Sequence, residues 1–514
     1  MLLSSKRPLA VGILALTLTA SPVETQAAPP PEPLRPTVAV LPPLPADGKA
    51  DAAWIGVALA DDLSNRLLLH SRLDGMALQQ SYPLNVFGWR QVAAAARSEG
   101  IDIHTPVDTN DIARLGQELG TDALWVASYT SDGTRAVLSW RLVPVGGASV
   151  RATTQKVTLT LDQIALAAEA IADEVIKAVG ETPEHPSGQK TTVIPMAAAK
   201  PFGEAVALLA GQSLDPRARL VLSRADIERA HALLATATRT APDFSRAWVE
   251  SALASSLLGN AEAAEAELVQ ALAQSGELEP SVSVGLFHLY DRQGKADDAR
   301  RALEEAVQAH RGFLQGQAYL GSAYLHAARP RDALTIFTKL AATTPKSPWA
   351  RVMRATALAR LGEHAQAIRE TEAVQRAYPQ SLAVTLALSE RQIDAHELEA
   401  AHKTLAAALV RHAHHPVVLT RLSYVNIQRG DFAAAVDLAG RAVAALGDGR
   451  GDSLAGYAQL NLGHALARVG RTDEAYAALR KAATLGIHGD DLKLLLGDAA
   501  LKAFLADPRS PLRP

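Results

Sequence analysis

Leu314–Pro345 reads LQGQAYLGSAYLHAARPRDALTIFTKLAATTP. Leu320-Gly321 with Tyr324, followed by Ala333, Phe337 and Pro345, alternates large and small residues before a proline stop. Two antiparallel helices cross closely only where one offers Gly or Ala and the other a large side chain, so the stretch predicts a tight helix pair. One such pair cannot bury its apolar face alone, and several must stack. The chain supplies the copies. Alanines that would sit at helix crossings recur at Ala230, Ala264, Ala299, Ala333, Ala367, Ala401, Ala435 and Ala475, at spacings of 34, 35, 34, 34, 34, 34 and 40.

Trp248 with Ala252, Gly259, Ala264 and Ala271 gives another copy, and Leu462-Gly463, Gly470, Ala475 and Ala482 a third. Turn glycines recur at Gly259, Gly294, Gly362, Gly430 and Gly470, and Pro242, Pro345 and Pro379 close repeats. The period of 34 and this pattern resemble the tetratricopeptide repeat. About seven repeats are expected over residues 201–484, with an atypical first one, forming an all-α superhelix. The long last spacing is absorbed by Gly447–Gly451 (GDGRG), and Arg450-Gly451-Asp452 within it reads as a chance match to an integrin-binding tripeptide. Asp491–Leu505 is expected to be an amphipathic capping helix within a terminal segment, residues 485–514.

Upstream, Lys6 and Arg7 precede the apolar run Leu9–Ala20 and the small-residue segment Thr25-Gln26-Ala27-Ala28. This is the layout of a secretory signal, residues 1–27, because the run is shorter than the ~20 residues a membrane span needs. Cleavage would leave a periplasmic protein without a membrane span; without cleavage the segment would anchor the chain in the inner membrane. Residues 28–36 (APPPEPLRP) form an extended spacer.

Between residues 37 and 180 the pattern changes to mixed α and β. Thr37–Leu41 reads as a buried strand stopped by Pro42-Pro43, and Ile55–Leu69 as a helix with Asp61 and Asp62 on its solvated face. A helix at Asp111–Leu119 follows. Thr121–Thr130 and Arg135–Val143 flank Asp132-Gly133, a strong hairpin signal. Val150–Thr160 adds a strand and Asp162–Val179 a closing helix, and Trp125 and Trp140 should pack across the hairpin. The order predicts an α+β layer with antiparallel pairing. VAVLPP (Val38–Pro43), GVALADDL (Gly56–Leu63), LGQELGTDALWVASY (Leu115–Tyr129) and WRLV (Trp140–Val143) together resemble the TolB amino-terminal domain. A linker, residues 181–200, is rich in Pro, Thr, Gly and Ser and separates this domain from the repeats.

Composition narrows the chemistry. The 514 residues contain no cysteine, which removes disulfides, thiolate zinc sites and cysteine nucleophiles. A formal charge of −3 argues against a nucleic-acid partner. About a fifth of the residues are alanine, in keeping with closely crossed helices. No P-loop, G-x-G-x-x-G, H-E-x-x-H or G-x-S-x-G motif occurs. No catalytic residue, cofactor or metal is therefore expected. His412 and His415 in RHAHH lie three apart, but next to Pro416, at a turn between repeats.

The repeat resemblance implies a concave groove lined by the first helix of each repeat. By repeat position the groove would include His288, Gln315, Ser322, Tyr424 and His464, and one turn further on Arg292, His326, Arg360 and Arg468. The arginines could form a basic stripe for an acidic or phosphate-bearing partner, or be ordinary solvated side chains. Positions that hold lysine and asparagine in chaperone-binding members are Val249, Val284, Ala318 and Val352 here, so a chaperone tail is not the expected partner. The reading that follows is an exported, non-enzymatic scaffold binding a protein or peptide partner, with self-association left open. The alternative is a sensory or regulatory module that binds a small ligand in the TolB-like domain.

Overall fold

The computed structural model describes residues 35–48, 52–69, 84–103, 105–146, 150–183, 193–209, 223–275, 280–309, 313–447, 453–487 and 489–507. The signal segment, most of the spacer, the core of the linker, and the Arg450-Gly451-Asp452 loop lie outside the described residues. Residues 35–514 form one compact unit.

Its first part is a mixed sheet. Strands β1 (Thr37–Val40), β2 (Leu44–Pro45), β3 (Asn85–Phe87), β4 (Ala123–Ser131), β5 (Arg135–Pro144) and β6 (Thr153–Thr160) pair in the order β3-β1-β4-β5-β6, with β2 also on β4. β1 runs parallel to β3 and β4, while β4–β5–β6 carries the expected antiparallel pairing, so the sheet is mixed. Parallel strands need crossover connections, supplied here by helices α1 (Ala53–Leu69), α2 (Trp89–Ser98) and α3 (Thr109–Leu119). β1 is buried along its length, whereas β5 alternates buried Ala136, Leu138, Trp140 and Leu142 with exposed Arg135, Ser139 and Arg141. The Asp132-Gly133 hairpin forms as expected. The Asp132 carboxylate accepts from the Thr134 and Arg135 amides, and these bonds hold its pKa near 2. Trp125 and Trp140 are both buried, with ring centroids 6.3 Å apart. α4 (Ile164–Ala178), preceded by a short 3-10 turn, packs on α1. Gly56 of α1 lies so near the loop after β1 that a Cβ would stand 2.0 Å from the Pro43 carbonyl oxygen.

Helices then alternate as antiparallel pairs: α5 (Met196–Leu209) with α6 (Arg224–Thr240), α7 (Ser245–Leu257) with α8 (Ala261–Ser275), α9 (Pro280–Arg292) with α10 (Ala296–Ala309), and α11 (Leu314–His326) with α12 (Pro330–Thr343). The series continues with α13 (Pro348–Arg360) and α14 (His364–Ala377), α15 (Leu382–Asp394) and α16 (Leu398–Arg411), α17 (Pro416–Arg429) and α18 (Phe432–Leu446), and α19 (Ser453–Arg468) and α20 (Thr472–Thr484). All eight crossing alanines fall on the second helix of a pair and none is more than 1 % exposed. The quoted stretch forms α11 and α12, where a Cβ on Gly321 would stand 2.4 Å from the Phe337 ring. Phe337 is fully buried, and its removal would cost about 3–5 kcal/mol. The first helices α7 and α9, α13 and α15, and α17 and α19 also touch one another, which makes them the inner layer of a superhelix.

The capping segment departs from the single helix expected. Gly497-Asp498 interrupts it, and the Asp498 side chain caps Ala500. It forms 3-10 turns and two short helices, α21 (Lys493–Leu496) and α22 (Lys502–Ala506), with Phe504 stacked on Tyr476 at 4.4 Å. The segment covers the last repeat.

Candidate functional site

The junction between the α/β part and the inner helices gathers the polar side chains. A single apolar core runs from Val38 through Trp54, Phe202 and Phe244 to Leu314, Phe337 and Ala357. α5 lies against α1, where a Cβ on Gly203 would meet the Trp54 carbonyl oxygen at 2.6 Å. The α/β part therefore packs directly on the repeats.

Charge is matched across this contact. Arg246, in the first turn of α7, donates to Asp62 at 2.6 Å and also pairs with Asp61, and its guanidinium lies over the Phe202 ring. Arg66 adds a 3.0 Å bond to Asp62 and a 3.1 Å bond to Glu169 on α4. The Trp89 indole donates to Asp61 at 2.9 Å. Asp62 is 8 % exposed. The expectation that Asp61 and Asp62 form a solvated helix face is thus overturned, because a basic residue 184 positions away in the chain covers them. Beside this network Arg90 of α2 pairs with Glu250 of α7 at 2.7 Å.

A second set of contacts lies further along the repeats. Lys346 donates to Asp122 at 2.6 Å, and the Tyr378 hydroxyl donates to the Lys346 carbonyl at 2.6 Å. At the start of α15, the buried Glu99 carboxylate accepts from the Leu382 amide at 3.1 Å, while the Ser381 hydroxyl bonds Glu118. Burial raises the Glu118 pKa to about 7 against the Ser381 bond, helped by the negative charge of Glu99. The α/β part thus spans the inner helices from α7 to the start of α15.

Between α1, α2 and β3 on one side and α7, α9 and α11 on the other lies a cavity of about 450 Å³. Two of the groove residues expected from repeat position, His288 and Gln315, line it together, as do Val249 and Val284. Gln315 donates to the Tyr319 hydroxyl at 3.2 Å, and the His288 ring meets Tyr319 edge-on at 5.0 Å.

The remaining groove residues are spread out. Arg292 is the last residue of α9; its side chain lies outside the described residues. Ser322 sits on α11, as does exposed His326, whose Nδ1 is 3.5 Å from Asp291. Arg360 is exposed at the end of α13. The Tyr424 hydroxyl accepts from Gln428 at 3.0 Å. His464 and Arg468 both bind Asp498, at 3.0 and 2.7 Å, and the Arg468 guanidinium lies over Phe432. Burial lowers the His464 pKa against the pull of Asp498. Arg292, Arg360 and Arg468 stand on α9, α13 and α19, which belong to non-adjacent repeats. His412 and His415 flank an inter-repeat turn with rings 6.3 Å apart, and burial lowers both pKa values. Among the described residues no group of three or more His, Cys, Asp or Glu could hold a metal.

Residues 216–280, 284–348 and 320–382 match a family described as tetratricopeptide repeat, and residues 457–485 match a second family of that description. The C-terminal region carries tetratricopeptide repeats. Similar solved structures include a tetratricopeptide repeat protein from Parabacteroides merdae, 15 % identical, covering 49 % of this chain and 97 % of its own, with a TM-score of 0.40. Yeast Tom70 is 12 % identical over 63 % of this chain and 67 % of its own, with a TM-score of 0.47. A thermophilic tetratricopeptide protein from Thermus thermophilus is 22 % identical over 37 % of this chain and 99 % of its own, at 0.31. No curated protein matches the chain. Among the described residues no helix is long and apolar enough to cross a membrane.

Proposed function

We propose that the chain is a non-enzymatic scaffold, exported to the bacterial periplasm, that holds a protein or peptide partner on the inner face of its later repeats. Tetratricopeptide repeats are protein-interaction scaffolds, and that supports the general class. The observation that carries the finer reading is the position of the α/β part. It already covers inner helices α7, α11 and α13, whereas Gln428 on α17 is exposed and its partner Tyr424 half-buried. Neighbouring inner helices there are tied by polar bonds: Arg421 donates to the Leu386 carbonyl at 2.6 Å, and Asn461 to the Thr420 carbonyl and the Ser423 hydroxyl at 3.0 Å. A surface held this way is preorganised and loses little freedom on binding.

Export is supported by the basic, apolar and small-residue succession of residues 6–28. Membrane anchoring by the same segment is the outcome if it is retained. The VAVLPP strand, the Gly56 helix and the hairpin support kinship of residues 37–180 with the TolB amino-terminal domain.

A photo-crosslinking residue placed at 424 or 428, in the full chain produced in a Gram-negative host, should capture one dominant periplasmic protein. The same residue at exposed 403, on outer helix α16, should not. An identical adduct pattern at inner and outer positions overturns the partner surface.

A further inference from the structure

The sheet has two edges, and the repeats cover only one of them. β3 is buried along its length and lies against α11. β6, at the far edge, pairs with β5 alone, and among the described residues no other backbone group bonds it. Thr153–Thr160 contains neither glycine nor proline, and its register with β5 runs unbroken from Thr153 to Thr160, without a bulge. Proteins ordinarily cover or distort an edge of this length, because its unpaired N–H and C=O groups are a template for another strand.

The side chains beside this edge decide which strand fits. α4 packs on one face of β6, where Leu159 is buried and Gln155 donates to Glu174 at 2.9 Å. The opposite face is open: Ser139 and Arg141 of β5 and Thr154, Lys156 and Thr158 of β6 are all exposed. The register sets Lys156 opposite Ser139 and Arg141 opposite Thr154, so the two cations are diagonal neighbours on that face. No Asp or Glu occurs in β4, β5 or β6. Among the described residues neither Arg141 nor Lys156 has an ion pair. Two copies of β6 paired about their centres would bring two Lys156 side chains together, which repels a second copy of this chain, whereas a strand bearing carboxylates is attracted.

We propose that β6 is a docking edge for an extended, acidic segment of a partner protein, which joins the sheet as a further strand with its carboxylates beside Lys156 and Arg141. Main-chain hydrogen bonds along the edge supply the affinity, and the two cations supply the preference. This surface lies at the edge of the sheet opposite α11, apart from the face of α17 and α19.

Fluorescence anisotropy on the full chain at neutral pH tests this, with labelled octapeptides that alternate valine with glutamate or valine with lysine. The glutamate peptide should bind about tenfold tighter or more at low salt, and the difference should shrink as salt is added. Exchanging both exposed cations, Arg141→Glu with Lys156→Glu, should reverse the order of the two peptides while circular dichroism stays unchanged. An added strand offers only alternate N–H groups to the edge it joins. N-methylation of either the valines or the glutamates of the acidic peptide should therefore weaken binding about tenfold, and methylation of the other set should leave it intact. Equal binding of the two charge types, equal binding of the two methylated peptides, or a wild-type dimer that competes with the glutamate peptide would each overturn the proposal.

Discussion

Arg246 and Asp62 meet at 2.6 Å across 184 positions of sequence, and both are buried. The bond joins the first turn of α7 to the middle of α1, so it is the point where the repeats grip the α/β part. Removing one partner of a buried ion pair typically costs about 3–5 kcal/mol, because the other charge is left uncompensated. Arg246→Met should therefore lower stability in urea by that order. Hydrogen exchange should show the loss in α1 and α7 while α17–α20 keep their protection. Equal loss of protection in α17–α20 would mean that the pair does not act locally.

Glu118 gives the junction a pH dependence of definite sign. Its folded pKa of about 7 lies above the ordinary 4.5. The neutral form is thus favoured on folding, and its contribution is complete below about pH 4.5 and lost as pH rises through 7. The groups around it are Glu99 from the α/β part, itself paired with Arg114, and Ser381 and Tyr378 from the repeats. The shift corresponds to an upper bound of about 3 kcal/mol. Glu118→Gln should flatten the stability profile between pH 5 and 8, read from urea midpoints. A wild-type profile already flat across that window would show that Glu118 ionises freely.

Turns between paired helices set up a third comparison. Five of them use glycine in the left-handed region, from Gly294 at φ 70° to Gly259 at φ 86°, but Ala328 and His396 occupy the same turn position at φ 53° and 58°. A Cβ in this region costs roughly 1–2 kcal/mol, partly offset by the extra freedom glycine has when unfolded. Ala328→Gly and His396→Gly should each raise stability by about 0.5–1 kcal/mol, and Gly362→Ala should lower it by a similar amount. Thermal midpoints moving the other way would refute the assignment.

Gly120 tests the second grip. It ends α3 at φ 69°, and a Cβ there would stand 2.3 Å from the Lys346 carbonyl group. Gly120→Ala should push α3 away from the start of α13 and weaken the Asp122–Lys346 bond. Faster amide exchange at residues 346–350, with unchanged exchange in α19, is the expected result. Unchanged exchange at both places would show that the contact gives way without strain.

The repeat architecture was legible because it rests on local spacing. A helix crossing accepts only a small residue, so alanine had to recur every 34 positions, and Asp132-Gly133 could fold only as a tight turn. The turn glycines were legible where present, but Ala328 and His396 hide two turns because the surrounding pairs enforce the left-handed backbone without glycine. Asp61 and Asp62 misled for a different reason. Two adjacent carboxylates on a helix usually meet water, and nothing nearby in sequence announces that Arg246 will cover them. The cavity was partly visible, since repeat position singled out His288 and Gln315. Its opposite wall of Asp61, Trp89 and Arg90 comes from another part of the chain, brought there by the parallel crossovers of the sheet.

A superhelix of stacked pairs is by nature a spring, in which small rotations at each interface add up along the array. Here the α/β part is fastened near both ends of the stretch from α7 to α15, at Arg246 and at Leu382. Stretching that stretch would break an ion pair at one end and a capped helix start at the other, so it acts as a splinted rod. The repeats beyond α15 project past the splint, so a partner seated on α17 and α19 would sit at the free end of a stiff arm.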